Sequence, residues 1–135
     1  MHGIATLNYF KDVRKKFKFL VEQYHYKIRK IRLENMTYIA IYTNRAVNRQ
    51  IKMGYDIHDN AFYFYVMKGE RGKYPEPYTG KDDNIIMFYD VIKKHINVPF
   101  EAIITDDKQY FKALELNAEL LRKYGDGILR GTDWI

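Results

Sequence analysis

The fold is decided by residues 36–67, which read MTYIAIYTNRAVNRQIKMGYDIHDNAFYFYVM. This stretch predicts three consecutive β-strands because isoleucine, valine, tyrosine and phenylalanine favour the extended backbone. Two short segments, 44–46 and 59–60, separate the strands, and their Asn and Asp residues tolerate the dihedral angles of turns. Links this short join antiparallel neighbours, so the stretch predicts a meander. The three strands are 36–43, 47–57 and 61–67.

The pattern of side chains indicates which faces of these strands are buried. Segment 47–57 alternates apolar and polar residues, which is typical of a strand with one buried face, although Arg49 interrupts its apolar side. Segment 61–67 is apolar on both faces, and we expect a central strand or one covered on both sides. The apolar face of segment 47–57 consists of Val47, Ile51, Met53, Tyr55 and Ile57.

A fourth strand is predicted upstream, at 26–33. Tyr26 and Ile28 point to one side, whereas Ile31 returns to that side only if the alternation slips by one residue. A β-bulge near 29–30 provides such a slip. The sequence thus predicts a four-stranded antiparallel meander.

Helices are predicted before and after the meander. Segments 7–24 and 82–95 carry apolar residues three and four positions apart, which is the period of an amphipathic helix. Thr6 and Asp82 are their candidate N-caps.

The C-terminal part predicts one more helix, which runs from Asp106 through residue 124, with Gly125 at the C′ position. Segment 69–80 is a loop, 98–104 is a connector or a short edge strand, and 128–135 is expected to pack back on the body. Together the elements predict a single α+β domain over residues 1–135. Its N-terminal helix precedes the meander, and two C-terminal helices pack on the sheet.

Composition excludes several classes of protein. The chain has 135 residues with 13 Tyr and 8 Phe, which is enough apolar material for one buried core. It contains neither cysteine nor serine, which removes disulfides, thiolate metal sites and the commonest activated nucleophiles. No apolar run approaches the roughly 20 residues that span a bilayer, and residues 1–10 lack the pattern of a signal peptide. We therefore expect a cytoplasmic protein with no cofactor and no membrane association.

Positive charge is concentrated near the N-terminus. The net charge is +6, yet residues 11–32 hold nine Lys or Arg and two acids, and the rest of the chain is nearly balanced. This asymmetry predicts a basic helix–strand face for an anionic partner, with Phe19 among its cations; the alternative is a solvated face. The candidate anion- or partner-binding residues are Lys11, Arg14, Lys15, Lys18, Lys27, Arg29, Lys30 and Arg32.

A second candidate site is a pocket in which an arginine lies among tyrosine hydroxyls, where it can bind an anion or a planar ligand. The alternative is that the tyrosines pack the sheet and that the arginine reaches its edge. The possible pocket consists of Arg49, Tyr38, Tyr42 and Tyr55.

Three other features are interpreted as structural. Residues 69–72, GERG, match the GxxG of KH domains, but they follow a strand, and a turn explains them. The acid pairs 82–83 and 106–107 precede predicted helices, where carboxylates cap the N-terminus; general acid–base work or divalent-ion binding is the alternative. The four histidines lack the spacing of a metal motif, so no metal site is predicted.

Three groups of residues resemble those of known proteins. They are Phe17 and Leu20 with Tyr24-His25-Tyr26, Tyr42-Thr43-Asn44-Arg45 with Ile51 and Tyr55, and Leu120-Leu121-Arg122-Lys123-Tyr124-Gly125 with Ile128-Leu129-Arg130-Gly131. Through them the chain resembles a group of small bacterial proteins, some of which are similar to the immunity proteins of toxin systems. The resemblance implies an α+β fold and a non-catalytic, partner-binding role, and it transfers no catalytic residue. Immunity proteins that mask nucleases tend to be acidic, whereas this chain is basic. A partner should therefore present an acidic surface, or the contact lies away from the basic face.

The leading hypothesis is a non-catalytic interaction domain, monomeric or homodimeric, that binds another macromolecule, with a protein as the first candidate. The alternative is nucleic-acid binding through the basic face 11–32. A third hypothesis is an enzyme that uses the carboxylates and tyrosines. The first is preferred because the core pattern is well formed and no nucleophile–base or metal constellation accompanies it.

Overall fold

The computed structural model describes residues 2–58, 61–70, 73–75, 83–95 and 110–134. Within these ranges the fold is α+β, with one antiparallel sheet between N-terminal and C-terminal helices. The strands are β1 (Lys27–Glu34), β2 (Thr37–Asn44), β3 (Arg49–Asp56), β4 (Ala61–Lys68) and β5 (Ile85–Met87). The helices are α1 (His2–Lys16), α2 (Lys18–Glu22), α3 (Phe88–Ile92), α4 (Tyr110–Tyr124) and α5 (Asp126–Leu129).

The antiparallel meander is confirmed, but the sheet has five strands in the order β1-β2-β3-β4-β5 rather than four. The fifth strand lies where the sequence predicted the start of a helix at 82–95. Ile86 pairs with Val66 on the free edge of β4. Consecutive isoleucines favour a strand once such an edge is present, so the helix is limited to α3. Asp82, its predicted N-cap, lies outside the described residues.

The predicted β-bulge in the first strand is confirmed. Ile28 pairs with Tyr42 and Lys30 pairs with Ile41, so that Arg29 is the extra residue between two successive pairs. The slip returns the apolar side chains after the bulge to the side of the sheet that carries the core. In the order of the strands, β1 forms one edge of the sheet.

Aromatic side chains dominate the core between the sheet and the helices. Tyr9 of α1 stacks on Tyr38 of β2 with 4.8 Å between ring centroids, and Phe64 of β4 contacts Phe88 of α3 at 5.4 Å. Full burial of a side chain of this size stabilises the fold by about 1.5–3 kcal/mol. The core is completed from α4 by Leu114, Ala118 and Leu121.

The predicted N-terminal helix is two helices. It begins at His2, so Thr6 lies inside α1 and is not its N-cap. Phe17 is fully buried and leaves the helical conformation, with φ −106° and ψ 19°, between α1 and α2. The break turns Phe19 toward the interior, where Arg122 lies over its ring at 4.6 Å. The prediction that Phe19 stands among the cations of the surface is therefore wrong, while Val21, predicted to be on the apolar face, is 40% exposed.

Helix α4 ends differently from the prediction, whereas the predicted packing of the C-terminal segment on the body is confirmed. Gly125 has φ −101° and is not a left-handed C′ residue; α5 follows it directly. A Cβ at this position would lie 2.7 Å from the carbonyl oxygen of Leu121, so glycine permits the close approach of the two helices. Ile128 is buried, and the indole Nε1 of Trp134 donates to the carbonyl oxygen of Asp83 at 2.9 Å. Asp106, the predicted N-cap, and segment 98–104 lie outside the described residues.

The hairpin between β1 and β2 contains a strained residue. Glu34 pairs with Thr37, and the two residues between them, Asn35 and Met36, have φ of 47° and 63°. Two positive φ values in a two-residue loop define a type I′ turn, for which Asn-Gly is the favoured sequence. An unbranched but bulky methionine in the left-handed region costs about 1–2 kcal/mol.

We predict that Met36→Gly raises the free energy of unfolding by about 1 kcal/mol, because glycine adopts a positive φ without a steric penalty. Met36 is 45% exposed, so little packing is lost. Urea denaturation measures the change. Met36→Ala is the matched control, because it shortens the side chain and keeps the strain, and it should give no stabilisation. A lower midpoint for the glycine variant would show that the turn is not strained.

Candidate functional site

The structure divides the predicted basic residues between two sides of the sheet. Three cations of β1 pair with residues on the face away from the core: Lys27 with Thr43, Lys30 with Ile41 and Arg32 with Ile39. Helix α1 covers the core face instead. The cations therefore surround the β1 edge from both sides rather than forming one flat face. The α1–α2 region contributes Lys11, Arg14, Lys15 and Lys18, and β1 contributes Lys27, Arg29, Lys30 and Arg32.

Three of these cations have carboxylate partners. Lys18 pairs with Glu22 at 3.2 Å, and Lys30 and Arg32 both pair with Glu34. The hydrogen bond from Arg32 is the main reason that the pKa of Glu34 is lowered. Within the part of the chain that the structure describes, no ion pair involves the other five predicted cations. These are Lys11, Arg14, Lys15, Lys27 and Arg29.

Two of the unpaired cations line a cavity at one end of the sheet. This basic groove has a volume of about 220 Å³ and lies where the link from α2 to β1 meets the turn between β2 and β3. Lys27 and Arg29 come from β1, and Arg45 comes from the turn. The groove is lined by His25, Lys27, Arg29, Thr43, Asn44, Arg45 and Ala46.

A positive φ, two side-chain hydrogen bonds and the β-bulge position the residues that line the groove. His25 has φ 63°, which ends the α2 region and starts β1 at a sharp angle. The Asn44 side chain donates to the carbonyl oxygen of Tyr24 at 2.8 Å and accepts from the N–H of Ala46 at 3.0 Å. It thereby ties the turn to the link on the other side of the groove. The bulge at Arg29 reorients that side chain relative to its neighbours in the strand.

A larger cavity of about 460 Å³ adjoins the basic groove and shares His25, Asn44 and Ala46 with it. Its positive charge is compensated. Arg130 donates to the carboxylate of Asp126 at 2.9 Å, and the hydroxyl of Tyr24 donates to the same oxygen at 2.7 Å. These hydrogen bonds lower the pKa of Asp126. The uncompensated charge is thus in the smaller basic groove.

Arg49, the centre of the other predicted site, binds the chain itself. Its side chain is buried, and Nε donates to the carbonyl oxygen of Ile128 at 3.1 Å while Nη2 donates to that of Asp133 at 3.0 Å. Nη1 donates to the carbonyl oxygens of Val47 and Asn48. The guanidinium also lies over the ring of Trp134, 5.0 Å from its centroid. Arg49 therefore anchors the C-terminal segment to the sheet.

The three tyrosines predicted to line a pocket with Arg49 lie in the core. Tyr38, Tyr42 and Tyr55 are on the helix-covered face of the sheet and are at most 4% exposed. Tyr38 and Tyr55 stack at 6.5 Å, and the hydroxyl of Tyr42 is buried without a hydrogen-bond partner. These positions give the tyrosines a packing role, and other residues line the two cavities above.

The remaining sequence features have structural positions where they are described. No group of three or more His, Asp or Glu able to hold a metal ion occurs among the described residues. His95 stacks on Tyr124 at 4.7 Å. Glu70 and Lys73 exchange two backbone hydrogen bonds, which fits the predicted turn at the GxxG segment. Asp82, the pair 106–107 and the last two residues of GERG lie outside the described residues.

Comparison with known protein families, with curated proteins and with solved structures found no match for this chain. The resemblance to toxin-system immunity proteins therefore stays a prediction. In the described part of the chain no helix combines the length and apolar character that a bilayer crossing needs.

The candidate sites predicted from the sequence included neither His25 and Arg45 of the groove nor Arg130 of the adjoining cavity. The position of Arg45 beside β1 could have been predicted from the sequence. A short turn after residue 44 and an antiparallel pairing of the first two strands bring the turn beside the start of β1, as the pairing of Lys27 with Thr43 shows. The position of Arg130 could not have been predicted, because the placement of α5 depends on the buried contacts of Arg49.

We predict that Arg49→Met lowers the free energy of unfolding by about 2–3 kcal/mol, because buried carbonyl oxygens lose their donors. Trp134 is the single tryptophan of the chain, so its fluorescence reports the release of the C-terminal segment. Arg45→Met is the matched control; this side chain is exposed, and its loss should change stability by less than about 0.5 kcal/mol. Equal losses in the two variants would argue against the anchoring role.

The buried tyrosine hydroxyls predict a loss of stability in alkali. Burial raises the pKa of Tyr42 and of Tyr26 above the ordinary value of about 10. Above that pH the unfolded chain releases protons that the folded chain retains, so stability falls as the pH rises. Each such hydroxyl contributes a slope of up to about 1.4 kcal/mol per pH unit.

We therefore predict that Tyr42→Phe reduces the alkaline slope and leaves stability at pH 7 unchanged or higher, since its hydroxyl has no partner. Tyr24→Phe is the contrasting variant. It removes the hydrogen bond to Asp126 and should cost about 1 kcal/mol at pH 7. Urea denaturation between pH 7 and pH 11 measures both. An unchanged slope in Tyr42→Phe would contradict the argument.

Proposed function

We propose that this chain is a non-catalytic binding domain whose basic groove contacts an acidic surface of a partner protein. One observation carries the proposal: Lys27, Arg29 and Arg45 converge on one cavity, and none of them has a carboxylate partner among the described residues. Uncompensated cations in a concavity attract anionic groups and accelerate association with an acidic partner.

The chemistry of the lining supports binding. The groove offers positively charged hydrogen-bond donors, which suit recognition of carboxylate or phosphate groups. Its one hydroxyl, that of Thr43, donates to the side-chain oxygen of Gln50 at 3.3 Å and is nearly inaccessible. The framework is also rigid, because Asn44 joins the two sides of the groove. A preformed site loses little conformational entropy on binding.

Nucleic-acid binding is the second candidate function, and the unpaired α1 cations Lys11, Arg14 and Lys15 favour it. Single strands, however, are held by exposed aromatic rings on which bases stack. Two rings line the groove and the adjoining cavity: the imidazole of His25, which is exposed, and the ring of Tyr24, which is buried and covered by Arg130 at 5.1 Å. No Phe, Tyr or Trp ring is exposed in the described lining as a surface for stacking. A protein partner with an acidic surface is therefore the preferred proposal, in agreement with the resemblance to immunity proteins.

The proposal is tested with two probes, a fluorescent poly-glutamate peptide and a DNA duplex, by anisotropy over a range of salt concentrations. One variant reverses groove charges, Arg29→Glu with Arg45→Glu, and the matched control reverses two α1 charges, Lys11→Glu with Lys15→Glu. All four side chains are exposed and unpaired within the described residues, so both variants should fold. We expect the groove variant to weaken poly-glutamate binding at least tenfold and the α1 variant to weaken it less than about twofold.

Other outcomes decide against the proposal. Equal losses in the two variants would show attraction by net charge alone. Tight duplex binding that both variants abolish, with a log–log salt slope of about −0.9 per phosphate contact, would establish the nucleic-acid alternative. Poly-glutamate binding unaffected by the groove variant would exclude the groove as the contact surface.

A further inference from the structure

The basic groove is smaller than a pocket for a drug-sized ligand. Its volume is about 220 Å³, against roughly 300–1,000 Å³ for such pockets. It therefore fits a single small group more closely than a whole cofactor. Four of its lining residues carry basic side chains: His25, Lys27, Arg29 and Arg45.

Two arginines of the groove also act electrostatically on a buried group, the hydroxyl of Tyr74. The hydroxyl of Tyr74 is buried without a hydrogen-bond partner. Burial raises the pKa of this hydroxyl, and the positive charges of Arg45, Arg29 and Arg49 act in the opposite direction. Among these three, Arg49 donates hydrogen bonds to carbonyl oxygens and forms no ion pair with a carboxylate of the described residues. The side chains of Lys27, Arg29 and Arg45 are exposed and have no carboxylate partner among the described residues, so several positive charges at the groove are uncompensated.

Charge and shape together favour a phosphate group over a carboxylate. Arginine presents a planar fork of donors that matches phosphate oxygens bidentately. A phosphate monoester carries a charge of about −1.5 to −2 at pH 7 and three acceptor oxygens. The two arginines and the lysine can balance that charge, whereas a carboxylate with one negative charge would leave most of it uncompensated.

We propose that the basic groove binds a dianionic phosphate group, held by Arg29 and Arg45 and assisted by Lys27. The proposal rests on the proposed binding role and names the chemical group that the site accepts. The same chemistry is presented by a phosphorylated side chain of a partner protein and by free phosphate, and the experiment separates the two sources.

Inorganic phosphate is titrated into the whole chain at pH 7.5 and low ionic strength, with binding followed by calorimetry and by the rise in melting temperature. Chloride at matched ionic strength is the reference anion. Arg29→Gln with Arg45→Gln is the test variant, and Lys11→Gln with Lys15→Gln removes the same number of charges from α1. We expect the groove variant to lower the association constant at least tenfold and the α1 variant to change it less than about twofold.

A phosphoserine peptide and its unphosphorylated form provide the second arm. Tighter binding of the phosphopeptide than of inorganic phosphate identifies a phosphorylated protein as the source, and equal binding identifies free phosphate. The inference is overturned if chloride stabilises the chain as much as phosphate, or if the α1 variant loses as much affinity as the groove variant. Groove-dependent binding of poly-glutamate without phosphate binding would overturn this inference and leave the proposed function intact.

Discussion

The burial of one guanidinium group determines how the C-terminal segment lies on the sheet. Arg49 stands at the start of β3 on the core face, where an unpaired charge would be strongly destabilising. Carbonyl oxygens of Ile128 and Asp133 satisfy its donors, and the ring of Trp134 covers it. The hydroxyl of Tyr26 donates to the carbonyl oxygen of Leu129 and adds a second buried tie. The short helix α5 therefore has one position in which these donors are satisfied.

The candidate site follows from this arrangement. With α5 held against the sheet end, Arg130 stands beside Tyr24 and is neutralised by Asp126. The neighbouring cations of β1 and of the β2–β3 turn have no such partner among the described residues. The basic groove therefore keeps uncompensated positive charge, whereas the larger cavity on the other side of His25 does not.

The groove also lies at the β1 edge, where charged side chains and a bulge discourage pairing with another strand. Binding of an anionic group is consequently a more suitable use of this edge than strand addition.

Several elements could be predicted because their signals are local. Alternation of apolar residues fixes the faces of β3, and the one-residue slip in the alternation of β1 locates the bulge at Arg29. Other elements could not be predicted, because long-range contacts decide them. The strand at Ile85–Met87 exists because β4 offers a free edge. The break at Phe17 reflects the burial of that ring, which helical periodicity alone does not encode.

By itself the sequence determined the class of fold, the meander and the concentration of positive charge in residues 11–32, since composition and periodicity act along the chain. Tertiary structure alone decided which of those charges share a site. The pairing of β1 with β2 brings Arg45 next to Lys27 and Arg29, and the register places Lys27, Lys30 and Arg32 on the face away from α1. The cations of β1 were therefore separated from those of α1 and joined by the distant Arg45, because strand register fixes the side on which each side chain projects.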